Sequence, residues 1–224
     1  MNQAALGRAR ATSIAQAFLP SRWHYFYARA KLRSDPLYPG IVDALRDSEA
    51  PLLDIGCGIG LLAHVLRDAG LAFPYVGVDN DPGKIAHAQR AALAAGLQAV
   101  DFESRDAAAG LLAHHGSVAI LDVLQYVEPQ AQGALLDAAI GMLTPGAKLV
   151  IRTGLEDGSR RARMTRAGDS IGRWLGWMNA GPKRYPDANV LRARFDAAGL
   201  HCEFGPLYGR TPFNNWRVVA TRPA

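Results

Sequence analysis

With 224 residues, 49% of them hydrophobic, and a formal charge of +5, the chain is long enough to bury a full core as one domain spanning 1–224. No uninterrupted apolar run approaches the length of a membrane span, the N-terminus lacks the apolar stretch of a secretory signal, and two cysteines are too few for a disulfide framework. A reduced, cytoplasmic setting is the expectation.

Charge is unevenly placed. Residues 1–40 hold six Lys/Arg and one acid, and residues 152–184 hold eight Lys/Arg and three acids, so two basic segments flank a body of net negative charge. Solvated surface is the ordinary reason for such runs. Both segments also carry aromatic and apolar residues that a solvated face does not need. The first predicts a helix from about residue 21, with Ser21 as its N-cap, on which Trp23, Phe26 and Tyr27 share one face.

The run Leu52-Leu53-Asp54-Ile55-Gly56-Cys57-Gly58-Ile59-Gly60 reads as a buried strand with an acid near its end, a glycine turn, and then a helix over 61–69. Glycines at alternate positions permit a tight turn and leave no Cβ between backbone and ligand. The helix start behind them presents unpaired N–H groups. An ordinary strand-to-helix turn needs one glycine rather than three. A dinucleotide fingerprint is spaced G-x-G-x-x-G, so G-x-G-x-G argues for another nucleoside cofactor.

This run resembles the first motif of the class I S-adenosylmethionine (SAM)-dependent methyltransferases, hydrophobic-D-x-G-x-G-x-G, and the resemblance continues from about residue 51 to 151. It implies a Rossmann-like α/β fold: a seven-stranded, mostly parallel sheet with helices on both faces and an antiparallel last strand. It implies SAM as cofactor and S-adenosylhomocysteine as product, with Asp54, Gly56, Gly58 and Gly60 in the cofactor site. The segment before the first strand, 1–40, would be a helical lid from which Tyr27, Lys31 or Arg33 reaches the cofactor's carboxylate; Tyr27 fits core packing equally well.

Tyr75-Val76-Gly77-Val78-Asp79 reads as the second strand, and Asn80-Asp81-Pro82 opens a helix. The resemblance places Asp79 on the ribose hydroxyls with Asn80 beside it. The alternative for an acid here is a helix N-cap, a role Asn80 or Asp81 fills as well. A third short strand falls within 99–107. Asp106 and Ala107 just past it would face the adenine, although Asp106 also reads as a solvated loop acid.

Residues 117–122 make the fourth strand, whose end the family places near the reactive sulfonium, so Asp122 and Val123 join the cofactor residues. Many small-molecule members carry a histidine in the following loop; here Gln125 and Tyr126 stand instead. Asp122 and Tyr126 are candidates for the acceptor side, Tyr126 with half-buried packing as its alternative, and His24 and Tyr25 join Tyr126 as acid–base candidates. A turn at Pro145-Gly146 leads into the fifth strand.

The segment 154–186 interrupts the fold where the family inserts substrate-specific lids. Its stretch 171–178 carries Trp174 and Trp177 on an amphipathic helix, fitting a lid or a core-packed helix, and less well a membrane-surface segment because it is short and contains glycine. A helix over 190–198 ended by Gly199, then strands over 201–207 and 216–221, complete the pattern.

Together these readings predict methyl transfer to a small acceptor. Aromatic residues favour an apolar or aromatic one, and the basic segments favour an acidic one or delivery by an acidic carrier protein. Residues 23–39 and 211–216 also resemble bacterial methyltransferases of aryl-polyene-type pigment pathways, which implies a phenolic, carrier-linked acceptor. Two other classes compete. An RNA-directed methyltransferase would use the basic segments, but the [N/D]-P-P-[Y/F/W] motif of base-amino methylation is missing and nucleic acid is not an expected partner. A non-catalytic SAM-binding protein would share the cofactor motifs. Only His114 and His115 among the six histidines are adjacent, in an expected solvated loop, so no metal is assigned.

Overall fold

Four consecutive buried residues, Leu52–Ile55, form β1, as a central parallel strand covered on both faces requires. The computed structural model describes residues 4–106, 110, 112–156, 183–209 and 214–224. β1 lies between β2 (Tyr75–Asp79) and β4 (Ser117–Leu121), parallel to both, with Leu52 opposite Tyr75 on one side and Ser117 on the other. β3 (Val100–Ser104) adds beyond β2, and β5 (Lys148–Gly154) beyond β4. β7 (Asn215–Thr221) runs antiparallel between β5 and β6 (His201–Pro206). The order is β3-β2-β1-β4-β5-β7-β6. Chain order therefore reverses between β1 and β4, and in such sheets ligands bind at the carboxyl ends of the strands flanking that switch.

Alternation along the strands divides the core. Leu52, Tyr75, Phe102, Ala119 and Val150 face a layer made by α1 (Arg8–Ala15), α2 (Arg22–Ser34), α3 (Leu37–Leu45), α4 (Leu61–Asp68) and α5 (Pro82–Ala94). Leu53, Ile55, Val118, Ile120, Leu149 and Ile151 face α6 (Pro129–Gly141) and α7 (Ala188–Ala197). Each such Leu, Ile or Val, wholly removed from water, contributes about 1.5–3 kcal/mol, so these two faces dominate the stability of the sheet.

Helix starts follow local chemistry. Ser21 caps α2 by accepting from His24 N, and Asp187 caps α7 by accepting from Asn189 and Val190 N. At α5, Asp81 accepts from the N–H groups of Gly83 and Lys84 while Pro82 takes the first turn, so the cap is Asp81 and Asp79 is left for another role. Gly199 lies just past the end of α7 with φ +70°. The helices α1 and α3 carry no strong signal: Arg8–Ala15 lacks a regular apolar stripe, and α3 opens at Pro36 with its first turn held by Asp35, whose Oδ1 accepts from Leu37 N at 3.0 Å. His114 differs from its expected solvation: it is half-buried, with Nε2 2.9 Å from the Ser117 carbonyl oxygen. The 171–178 stretch with its two tryptophans, and all of 157–182 and 210–213, lie outside the described residues.

Candidate functional site

The loop after β1 is built from the three glycines. Gly56, Gly58 and Gly60 have φ of +79°, +59° and +77°, a region costly for any residue with a Cβ. Gly56 and Cys57 N–H both donate to the Val78 carbonyl, at 2.7 and 3.0 Å, tying the turn to β2. The glycines differ in what surrounds them. A Cβ on Gly56 would sit 2.2 Å from Val123 Cγ2, and one on Gly60 would sit 2.6 Å from Phe102 Cζ. A Cβ on Gly58 would meet nothing within 4 Å. The first and third glycines thus allow protein to pack on protein, and the middle one faces open space.

Beside that space stands Asp79, 7% exposed at the end of β2. Its Oδ2 accepts from Gly58 N–H at 2.9 Å, and its Oδ1 accepts from Asp81 N–H at 3.0 Å with Lys84 Nζ 3.8 Å away. Each carboxylate oxygen has two acceptor positions and accepts one hydrogen bond here, so acceptor capacity remains. Asn80 is exposed immediately after it. The Arg105 N–H donates to the Asp79 carbonyl at 2.9 Å, which holds the exposed Asp106 near the same strand end. Ala107 lies outside the described residues.

Asp54 lies deeper, 2% exposed within β1. Its Oδ2 accepts from the Tyr75 hydroxyl at 2.6 Å, and its Oδ1 is buried with no partner. Burial raises its pKa to about 7; the Tyr75 hydrogen bond opposes that rise and the charge of Asp79 adds to it. The neighbouring Cys57 thiol is also pushed up by burial and by both aspartates, so it stays protonated and serves as packing against Gly77.

The β4 side is more crowded than its sequence suggests. Asp122 takes φ +59°, uncommon for a residue with a side chain, and its N–H donates to the Arg152 carbonyl at 2.8 Å. Its carboxylate pairs with the Arg152 guanidinium and lies 3.6 Å from Lys31 Nζ. Arg152, 4% exposed, also donates to both oxygens of Asp35 at 3.2 Å, and Lys31 Nζ lies 2.8 Å from Asp35. Two cations and two anions thus form one cluster joining α2 to the ends of β4 and β5. Burial opposes the charged form of both Lys31 and Asp35, and the cluster outweighs it. Asp122 and Asp35 hold the Lys31 pKa above its usual value, and Arg152 and Lys31 hold the Asp35 pKa below its own. Lys31 is therefore engaged with carboxylates of its own chain.

Val123 packs on Gly56, and Gln125 is buried, accepting from the Thr153 hydroxyl at 3.0 Å. Tyr126 follows, half-buried in the short 3₁₀ turn Leu124–Tyr126. His24 sits elsewhere. Its ring lies 3.9 Å, centroid to centroid, from His87 on α5, and its Nδ1 is 2.9 Å from Ser21 Oγ. Burial, then His87 and Arg90, lower its pKa. Tyr27, a candidate for core packing, is 45% exposed. The structure thus places Asp54, the glycines, Asp79, Val123 and Asp122 at the carboxyl-end side of β1, β2 and β4, with Tyr126 just after β4 and His24 against α5.

Tyr75, Asp35 and Arg152 belong to this site and carry no sequence motif. Asp35 and Arg152 are separated by 117 positions, and nothing in either local pattern announces the pairing. A groove of about 500 Å³ between α6 and α7, lined by Asp137, Ile140, Val190 and Arg194, belongs to the outer helical layer and contains none of these residues.

The strand order, the glycine loop at the switch point and the acids ending β1, β2 and β4 define the class I SAM-dependent methyltransferase fold. Residues 24–203 match the methyltransferase-domain family, and the chain belongs to it. It is 31% identical over 179 residues to a ubiquinone biosynthesis O-methyltransferase of Azorhizobium caulinodans, covering 75% of this chain and 66% of that protein. A protein of the same name from Xylella fastidiosa is 33% identical over 109 residues, 47% of this chain and 42% of the relative. The chain therefore spans less than two thirds of the length of either curated relative. The magnesium protoporphyrin IX methyltransferase of Synechocystis PCC 6803, solved with bound SAH, superposes with a TM-score of 0.63 at 19% identity, over 83% of this chain and 82% of that one.

Proposed function

We propose that this chain transfers the methyl group of SAM to the oxygen of a small aromatic or otherwise apolar acceptor. The observation that carries the reading is the open space over Gly58 beside the buried Asp79 carboxylate. A cofactor with a ribose and a flexible charged tail fits that cradle. Asp79 accepts the ribose hydroxyls, with Asn80 at its side. Asp106 and Ala107 take the adenine end. The Gly56–Gly60 backbone passes along the methionine part, and Asp122 and Val123 border the reactive end. Asp54, buried beneath the loop with an unpaired oxygen, has its pKa raised to about 7, and a cationic ligand above it would favour its ionised form.

When bound, SAM supplies a methyl group on a positively charged sulfur, an activated leaving group. The protein's share is alignment and exclusion of water. α2 serves as the cover: it is attached to α5 through His24 and His87 and to β4 and β5 through the Lys31–Asp35–Asp122–Arg152 cluster. A hydroxyl acceptor must lose a proton, and the group we assign to that step is Tyr126, on the β4 side; His24, held against α5, would serve only if the acceptor reaches that side of α2. With its pKa lowered, His24 is neutral at physiological pH and able to accept. Transfer to oxygen is supported by the names of both curated relatives.

Calorimetric titration with SAM tests the cofactor assignment. Wild type is expected to bind, and Asp79→Ala to bind roughly a hundredfold more weakly, the loss of two hydrogen bonds to a charged acceptor. Mass spectrometry of reactions with phenols and aryl acids then identifies the acceptor by the methyl gain. A folded wild type that takes up no SAM, with or without those acceptors, would end the proposal.

A further inference from the structure

Six large hydrophobic residues are exposed among the described residues, and four of them fall within nine positions: Leu19 at 49%, Trp23 at 72%, Phe26 at 49% and Tyr27 at 45%. Trp23, Phe26 and Tyr27 stand at i, i+3 and i+4 and so share one face of α2, with Leu19 just ahead of the helix. The opposite face packs inward through Ala28 and Leu32. The aromatic face is therefore additional to the one that holds the helix in the fold.

Arg22, Arg29 and Arg33, at i, i+7 and i+11, form a second row alongside the aromatic one. Arg22 and Arg33 are exposed and Arg29 is half-buried. Residues 4–34 contain no Asp or Glu, so no carboxylate of this segment neutralises the row. On the other shoulder of the helix, Lys31 reaches Asp122 at the opening over β4. The aromatic face thus lies between a row of arginines and the mouth of the site.

We infer that this face of α2 docks the protein on an anionic lipid bilayer surface, with the site's opening beside it. Aromatic rings flanked by arginines match the headgroup boundary, where rings enter the acyl edge and guanidinium groups pair with phosphates. Size points the same way. A helix of 13 residues is about 20 Å long, and its exposed face, about 10 Å wide, offers roughly 200 Å². A stable protein partner needs about 800 Å² per side. A bilayer needs only the face itself, and each arginine near an anionic surface strengthens attachment about fivefold. Docking in this manner would let an acceptor dissolved in the membrane enter without crossing water, which extends the proposed apolar acceptor but does not depend on it.

The test is co-sedimentation of the full chain with vesicles of phosphatidylcholine alone and of phosphatidylcholine with about one third phosphatidylglycerol. Binding at least tenfold tighter to the anionic vesicles is expected, and it should fall as salt shortens the range of the charges. Trp23→Ala with Phe26→Ala, and separately Arg22→Glu with Arg33→Glu, should each weaken it about tenfold or more, while circular dichroism and urea unfolding show that both variants remain folded. Equal binding to neutral and anionic vesicles, or variants that sediment like wild type, would overturn the inference. So would an absence of vesicle binding; loss of self-association, or of binding to an acidic carrier protein, in the same variants would then assign the face to a protein partner. The vesicle result stands whether or not methyl transfer is found, so the two proposals fail separately.

Discussion

Replacing Asp54 with Asn removes a buried carboxylate while keeping its shape and an oxygen to accept the Tyr75 hydroxyl. In the folded protein Asp54 has its pKa raised from 3.8 to about 7, chiefly by burial, whereas in the unfolded chain it titrates near the ordinary carboxylate value. Between those values the native state binds the extra proton, so wild-type stability must fall as pH rises. The contribution is fully present below about pH 4 and lost once pH passes about 7. Three units at 1.36 kcal/mol each bound the whole effect at about 4 kcal/mol, of which roughly 3 falls between pH 5 and pH 8. The amide that Asp54→Asn introduces does not titrate. Placed where Oδ1 has no partner, it adds a cost of about 1–3 kcal/mol that is the same at every pH. The readout is therefore the slope and not the offset. Urea unfolding of both proteins from pH 5 to pH 8 should show wild type losing stability relative to Asp54→Asn, by about 2–3 kcal/mol over the range. Two parallel curves would refute a neutral, proton-holding Asp54. Saturating SAM should shrink the difference, because a cation bound above the loop favours the ionised carboxylate.

Four further outcomes follow from the same geometry. Gly58→Ala forces a Cβ into φ +59° with nothing else in its way, so urea unfolding should show a loss of only about 1–2 kcal/mol while calorimetry shows SAM binding gone; retained binding would mean the open space is not the cofactor's. Gly56→Ala meets Val123 at 2.2 Å as well and should be the less stable of the two. Asp35→Asn leaves the buried Arg152 with one anion fewer and should cost about 3 kcal/mol, while Asp35→Asn combined with Arg152→Met should cost less than the two singly summed; strict additivity in unfolding experiments would dissolve the cluster. His64, 4% exposed with Nε2 unpartnered, has its pKa lowered by burial to about 4. The unfolded chain takes up that proton near pH 6.5, so its contribution is full above that pH and is lost as pH falls toward 4, by at most about 3 kcal/mol. His64→Leu should flatten this acid limb, whose sign is opposite to that of Asp54, and an unchanged limb would place the titration elsewhere.

Some of this molecule is written in short stretches. Residues 52–60 hold a strand, three glycines and a helix start within nine positions, and each part follows from local chemistry: apolar residues for a strand covered on both sides, left-handed turns that only glycine enters cheaply, and an unpaired helix end. Asp81, with Pro82 after it, specifies its cap locally, which removes the rival role for Asp79. The strand-and-helix alternation from 75 to 151 likewise forecasts a parallel sheet, because parallel neighbours need a crossover between them. The pattern of α1 was not legible, since Arg8–Ala15 is held by packing against α2 and not by a stripe of its own.

The sequence alone determined the strand, glycine turn and helix start at 52–60 and the acids near the strand ends, because each depends on residues within one turn or one strand of each other, and the class of fold followed from their resemblance to a known family. Only the tertiary structure decided the electrostatics. Tyr75 meets Asp54 across a strand pair, Asp35 meets Arg152 across 117 positions, and His24 meets His87 between two helices. It also decided that Trp23, Phe26 and Tyr27 point outward. Helical spacing groups those rings on one face, but which face of α2 turns to the core depends on the cluster that buries Ala28 and Leu32 together with residues of other helices and strands, and that is a property of distant segments brought together.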